Sequence, residues 1–229
     1  LTLPGAEFVQ IGTDGGWLPA AVPLTQLQLV PGERADLLVH FTGAPGSVGR
    51  LTAAPHNRGH GLMSDAFDVL EVRLSKEPPA VEPDPTPAQL AAIAPLAVGT
   101  SQQSLKLGET MTMGGGQMTT VFSINGQAWP KATPLKAQVG RTDNSTVVND
   151  TEMDHPFRLH GFFFQPLTLA GQSLPLAWKD TIDVPAHQTL QLRVRYDDHA
   201  GMFAFHCHIL NHAEKDDGMF GMVTTFIVS

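Results

Sequence analysis

The sequence has a single cysteine, Cys207, no excess of positive charge and no long apolar run. One cysteine rules out an internal disulfide and leaves the redox compartment open. Fourteen lysines and arginines stand against twenty-two acidic residues, a formal net charge of −8. That balance offers no basic face for nucleic acid and no polybasic patch for a membrane surface, while small neutral or cationic partners stay compatible with it. No apolar stretch approaches the ~20 residues of a membrane helix, so no membrane span is expected. No charged start followed by an apolar segment marks a signal peptide either. The chain reads as a mature form or a fragment.

What the chain does have is turn chemistry. Eighteen prolines and twenty-two glycines in 229 residues, with modest charge, point to a turn-rich, mostly β protein of one large or two ordinary domains. The run "TLQLRVRY" puts Leu190, Leu192, Val194 and Tyr196 on one face and Gln191, Arg193 and Arg195 on the other, the period of a half-buried strand. "QLQLV" (26–30), "ADLLVHF" (35–41) and "FDVLEVRL" (67–74) read the same way, and the Pro-Gly of "VPGERAD" marks a tight turn between the first two.

Residues 77–95, "EPPAVEPDPTPAQLAAIAP", change the composition. Each proline removes a ladder donor, so this segment reads as an interdomain linker with one helical turn. Residues 96–229 then make a complete β-sandwich of ordinary size. Residues 1–76 are short for a domain of the same kind and read as its C-terminal part, with sequence missing upstream.

The chemistry concentrates in "FHCHILNHAEKDDGMFG". If Ala204 to His208 is extended, His206 and His208 point to one face and Cys207 to the other, so one tripeptide serves two metal sites. His212 lies where the chain can fold back to the Cys207 side, and Met219 follows in a Gly-Met pair. A thiolate, two imidazoles and a weak thioether are the ligand set of a blue copper site. The upstream "DHPFRLHG" supplies the second imidazole. His155 and His160 are an odd number apart, so His155 faces the Cys207 site and His160 the site of His206 and His208. Arg158 shares the parity of His160 and is expected to face that second site; the other reading turns it away to pair with Asp154 or Asp180. Met219 as a plain core methionine is the rival to a ligand. Met111, Met113 and Met118 read first as a flexible glycine-rich loop and second as a soft Cu(I) site.

"HPFRLHG" upstream of "HCHILNH" and a Gly-Met resembles the C-terminal cupredoxin domain of multicopper oxidases, the bacterial laccase-like branch in particular. "FSINGQAWP", "VVNDTEMDHPF", "GFFFQ" and "WKDTIDVP" resemble the same third domain, and "IGTDGG" with "LVPGERADLLVHF" the end of the second. The resemblance implies an all-β chain of cupredoxin-like Greek-key β-sandwiches, one partial and one complete. It implies copper as cofactor, with His155, Cys207 and His212 as type 1 ligands, Met219 axial, and His160, His206 and His208 on a trinuclear cluster of type 2 and type 3 copper. Single electrons from a small phenolic or metal-ion reductant would pass through Cys207 to that cluster, where O2 becomes water. In the family an acidic residue just after the last histidine feeds protons to oxygen. Ala213 takes that slot here, and Glu214, next in line, becomes the candidate beside Cys207 for a catalytic role.

Three departures accompany the resemblance. The family pattern has a histidine at type 2 copper where this chain has Arg158. The interval from His212 to Met219 is two residues longer than usual. The family's N-terminal domain contributes two further His-X-His pairs that do not occur here, so the cluster would need an N-terminal cupredoxin domain or another chain. The resemblance implies a periplasmic or extracellular location. Two other functions stay open: a type 1 copper electron-transfer protein with an impaired cluster, and a copper-free cupredoxin scaffold.

Overall fold

The computed structural model describes residues 1–77, 89–114, 116–215 and 218–229. They form two compact units, Leu1–Leu29 with Arg34–Ile93, and Val30–Glu33 with Ala94–Ser229. Most of the expected linker, residues 78–88, lies outside the described residues, and the helical turn expected there does not occur over 89–95.

The first unit carries β1 (Ala6–Thr13), β2 (Gly16–Leu24), β3 (Ala35–Phe41), β4 (Val48–Ala53) and β5 (Phe67–Arg73). The first three make a sheet of order β2-β1-β3, and β4 pairs antiparallel with β5. Leu3, Phe8, Leu18 and Leu27 are buried, whereas Leu38, Phe41, Phe67, Val69 and Leu70 remain exposed. The expected strand at 26–30 does not form. Leu27 is buried and bonds to Leu1 through the backbone, so the apolar alternation is satisfied by burying one side chain without joining a ladder.

The second unit carries β6 (Ser101–Gly114), β7 (Gln117–Ile124), β8 (Leu135–Ala137), β9 (Thr142–Asp150), β10 (His155–Leu159), β11 (Phe164–Leu169) and β12 (Gln172–Ser173). After these come β13 (Thr181–Val184), β14 (Thr189–Arg195), β15 (Gly201–Cys207), the single-turn α1 (Leu210–Ala213), β16 (Glu214–Lys215), β17 (Gly218–Met219) and β18 (Val223–Val228). Among the described residues the larger sheets have orders β13-β10-β15-β18-β8 and β12-β11-β14-β9-β6-β7. Their inner faces make one core: Leu105, Leu107, Val147, Leu190, Leu192 and Val194 from one sheet meet Phe157, Leu159, Phe205, Phe226 and Val228 from the other. β14 shows the expected alternation, its even-numbered apolar residues buried and Gln191 and Arg195 exposed. Apart from α1 the described residues form no helix, so the all-β class expected from the sequence holds among them. No helix among the described residues is long and apolar enough to cross a membrane.

The glycine-rich loop expected around the methionines is instead a strand pair that runs to Gly114 and resumes at Gln117. Met113 lies opposite Met118 in register, and the hydroxyls of Thr112 and Thr119 meet at 3.1 Å on the opposite face. Alternating Thr and Met favour a ladder over a loop because one face pairs hydroxyls while the other leaves the thioethers exposed.

Candidate metal centre

Strand pairing brings the two histidine-bearing motifs together. β10 and β15 are antiparallel neighbours, with Phe157 opposite Cys207, Arg158 opposite His206 and Leu159 opposite Phe205. The period of two then divides the side chains between two faces. On the inner face His155, Cys207 and His212 gather, all three buried. His155 Nδ1 lies 3.4 Å from Cys207 Sγ, Cys207 Sγ 3.6 Å from His212 Nδ1, and the two imidazole nitrogens 3.2 Å from each other. The centre of such a triangle is about 2 Å from each corner, the range of metal bonds to imidazole and thiolate. The three donors fit a copper ion.

The surroundings prepare those donors. Asn149, at the end of β9, donates to the carbonyls of Met153 and Val184 and accepts from the backbone and hydroxyl of Thr151. Thr151 Oγ1 in turn meets His155 Nε2 at 2.8 Å, which leaves Nδ1 for a metal. Burial first, and the neighbouring His212 second, push the His155 imidazole down from its usual 6.5 to about 3, so it is neutral and ligand-ready. Phe122 stacks on His212 with ring centroids 3.8 Å apart and presents an edge to His155. The Ile209 amide donates to Cys207 Sγ at 3.4 Å.

Met219 is placed differently. It is 58% exposed and pairs with Glu214 across the two-residue strands β16 and β17. Met222 is the fully buried methionine: its amide donates to the His212 carbonyl, and its carbonyl accepts from the Cys207 amide. Glu214 is exposed and lines, with His206 and Met219, a cleft of about 250 Å³.

On the other face His160 Nε2 lies 2.8 Å from His206 Nε2, and the rings of His206 and His208 are 5.4 Å apart. His206 Nδ1 meets the carbonyl oxygen of Cys207 at 2.9 Å, which aims its Nε2 away from the backbone. Burial lowers the pKa of all three imidazoles, and the Arg158 charge lowers each further. Arg158, in register opposite His206, stands on the histidine face, as its parity requires. It also pairs with Asp180, Nη1 to Oδ1 at 2.7 Å, so the two readings of this residue hold together. Thr151, Asn149, Phe122 and Met222 were not singled out in the sequence, although "FSINGQAWP" and "VVNDTEMDHPF" contain three of them.

A profile described as multicopper oxidase matches residues 102–229. The chain belongs to the multicopper oxidase family. Its cofactor is copper. This multicopper oxidase chain is 27% identical to a laccase of Bacillus subtilis over 93% of its own length and 45% of the laccase. It is 37% identical to copper resistance protein A of Escherichia coli over 43% of its length and 16% of that protein. Among solved structures it is similar to the McoA multicopper oxidase of Aquifex aeolicus, with TM-score 0.80 and 29% identity over 97% of this chain and 50% of that one. A multicopper oxidase from Campylobacter jejuni, described as a metallo-oxidase, gives TM-score 0.81 and 26% identity over 99% and 50%. The chain thus spans about half the length or less of the curated relatives it matches.

Proposed function

We propose that this chain is the electron-accepting and electron-transferring part of a laccase-like copper oxidase that takes single electrons from a small phenolic or metal-ion reductant and delivers them to O2, which becomes water. In this reading His155, Cys207 and His212 would hold type 1 copper, and Met219 would be its weak fourth ligand on the strength of the Gly-Met pair alone. His160, His206 and His208 hold copper of the oxygen-reducing cluster. An N-terminal cupredoxin domain or a second chain supplies the remaining ligands, a reading supported by the exposed apolar side chains of β3 and β5. A periplasmic or extracellular location follows from the resemblance.

The observation that carries this function is the back-to-back arrangement on one strand. Cys207 faces a buried trio, His206 and His208 face the other way, and the His206 ring returns to the Cys207 carbonyl at 2.9 Å. Copper, when bound, supplies one-electron redox chemistry. The chain's residues supply the rest. Cys207 leads from its sulfur through its own backbone to both flanking imidazoles. Burial of the trio keeps water from competing for the donors, and Thr151 fixes the His155 ring. Glu214, which lines a cleft with His206, is the candidate to hand protons towards oxygen. A copper-free scaffold would have no use for a buried Cys-His-His group, and a protein with type 1 copper alone would have no use for the second histidine face.

The test is copper loading of the chain followed by optical, EPR and oxygen-uptake measurements. An intense visible charge-transfer band is expected, with little oxygen reduced to water by the isolated chain, because three histidines are too few for three coppers. A folded, copper-loaded chain without the band would sink the reading. Robust laccase turnover by a homogeneous 229-residue preparation would overturn the need for a partner.

A further inference from the structure

Arg158 stands on the histidine face with a side chain that cannot bind a metal. A guanidinium stays protonated and offers donors but no lone pair. β10 and β15 put it directly opposite His206 and two residues before His160. Its position is held by several contacts. Nη1 donates to Asp180 Oδ1 at 2.7 Å and to Thr181 Oγ1 at 2.9 Å, and the Thr181 hydroxyl donates to the same carboxylate oxygen at 2.8 Å. Asp180 and Thr181 are buried, and the Arg158 side chain is only 21% exposed. Across the face, Gly32 lies in the turn 31–32, where a Cβ would come within 3.1 Å of the His208 ring. Its φ of +88° suits glycine, and its carbonyl lies 3.5 Å from Arg158 Nη1. Lys179, the residue before Asp180, bonds Glu33 at 2.9 Å and ties this turn to the same wall. The guanidinium is thus built into the face.

We propose that the Arg158–Asp180 ion pair stands in the place of a third metal ion, so that the cluster completed on this chain lacks its type 2 copper and holds two coppers. This rests on the reading that His160, His206 and His208 hold copper, and it names the metal composition of that site. Two effects combine. The position loses the ligand a histidine would provide, and the side chain that replaces it fills the space and carries its own counter-ion. Because Asp180 neutralises the guanidinium, long-range repulsion is the smaller effect, and the Cys207 site on the opposite face is left intact. A metal entering the third position would have to displace a hydrogen-bonded, mostly buried ion pair and would find no lone pair there.

The experiment compares the copper-loaded protein, complete with the cupredoxin part that supplies the remaining cluster ligands, with its Arg158→His and Arg158→Lys forms by copper count and EPR. Arg158→Lys keeps a cation beside Asp180 and adds no ligand under the ion pair, so it separates ligand loss from a general packing change. The parent and Arg158→Lys are expected to show the blue-site signal without the wide-hyperfine signal of type 2 copper. Arg158→His is expected to gain that signal and one copper per protein, with the blue band unchanged. A parent that already carries a full type 2 signal overturns the proposal, and so does a folded, blue Arg158→His protein that gains no copper. If Arg158→His does not fold, the parent's own copper count and EPR decide the matter. Absence of the blue band in the loaded parent would instead remove the underlying functional reading, an outcome distinct from any change in the type 2 signal.

Discussion

Thr151 Oγ1 lies 2.8 Å from His155 Nε2, and both residues are buried. The bond fixes the ring so that Nδ1 faces Cys207 Sγ at 3.4 Å. Thr151→Val keeps the volume and removes the partner. Such supporting contacts contribute about 10- to 100-fold to metal affinity. Copper at the Cys207 site is therefore expected to be lost to a competing chelator at about 10- to 100-fold lower chelator concentration, while the fold is retained. Equal copper retention in parent and variant, by titration of the visible band, would refute the role given to Thr151.

Cys207→Ser tests the thiolate itself. A hydroxyl is a poor soft ligand, so the visible band should vanish. His206 and His208 stay on their own face, so metal binding there should survive in circular dichroism-verified folded protein. A band that persists would remove Cys207 from the site.

The pH dependence of the copper-free chain follows from His155. Its folded pKa is about 3, against roughly 6.5 in an unfolded chain. Between those values the unfolded state binds more protons, so stability rises with pH there. The contribution is fully present above about pH 6.5, declines as pH falls and is gone near pH 3. His155→Gln removes the titrating group. Urea midpoints at several pH values should therefore fall less steeply in the variant, and identical slopes would show that His155 does not carry this dependence.

Met219 and Met222 separate by exposure. Met219→Leu, at a 58% exposed position, should leave stability almost unchanged but alter the EPR and potential of the blue site if the thioether is axial. Met222→Ala, at a fully buried position, should cost about 2–5 kcal/mol by chemical denaturation. A blue site unmoved by Met219→Leu would remove that residue from the ligand set.

Much of the candidate site was legible because parity along a strand is local. His206, Cys207 and His208 alternate whatever the strand pairs with, and His155, Arg158 and His160 divide the same way. The glycine-rich stretch around Met113 was read as a loop because glycine weakens local strand preference, and the ladder between Thr112 and Thr119 is a cross-strand contact. The segment 26–30 erred in the other direction: its period of two reports burial, and burial of Leu27 needs no ladder.

The sequence by itself determined the ligand chemistry: a cysteine between two histidines, a third histidine beyond the turn, two more upstream, and an arginine among them. Only tertiary structure decided which groups support them. Asp180 meets Arg158, Thr151 meets His155, Phe122 covers His212, and Met222 rather than Met219 is buried beside the trio. The physical reason is that alternation along a strand is set by the covalent geometry of the backbone, whereas the register between β10, β13 and β15 is set by how both sheets bury their shared core.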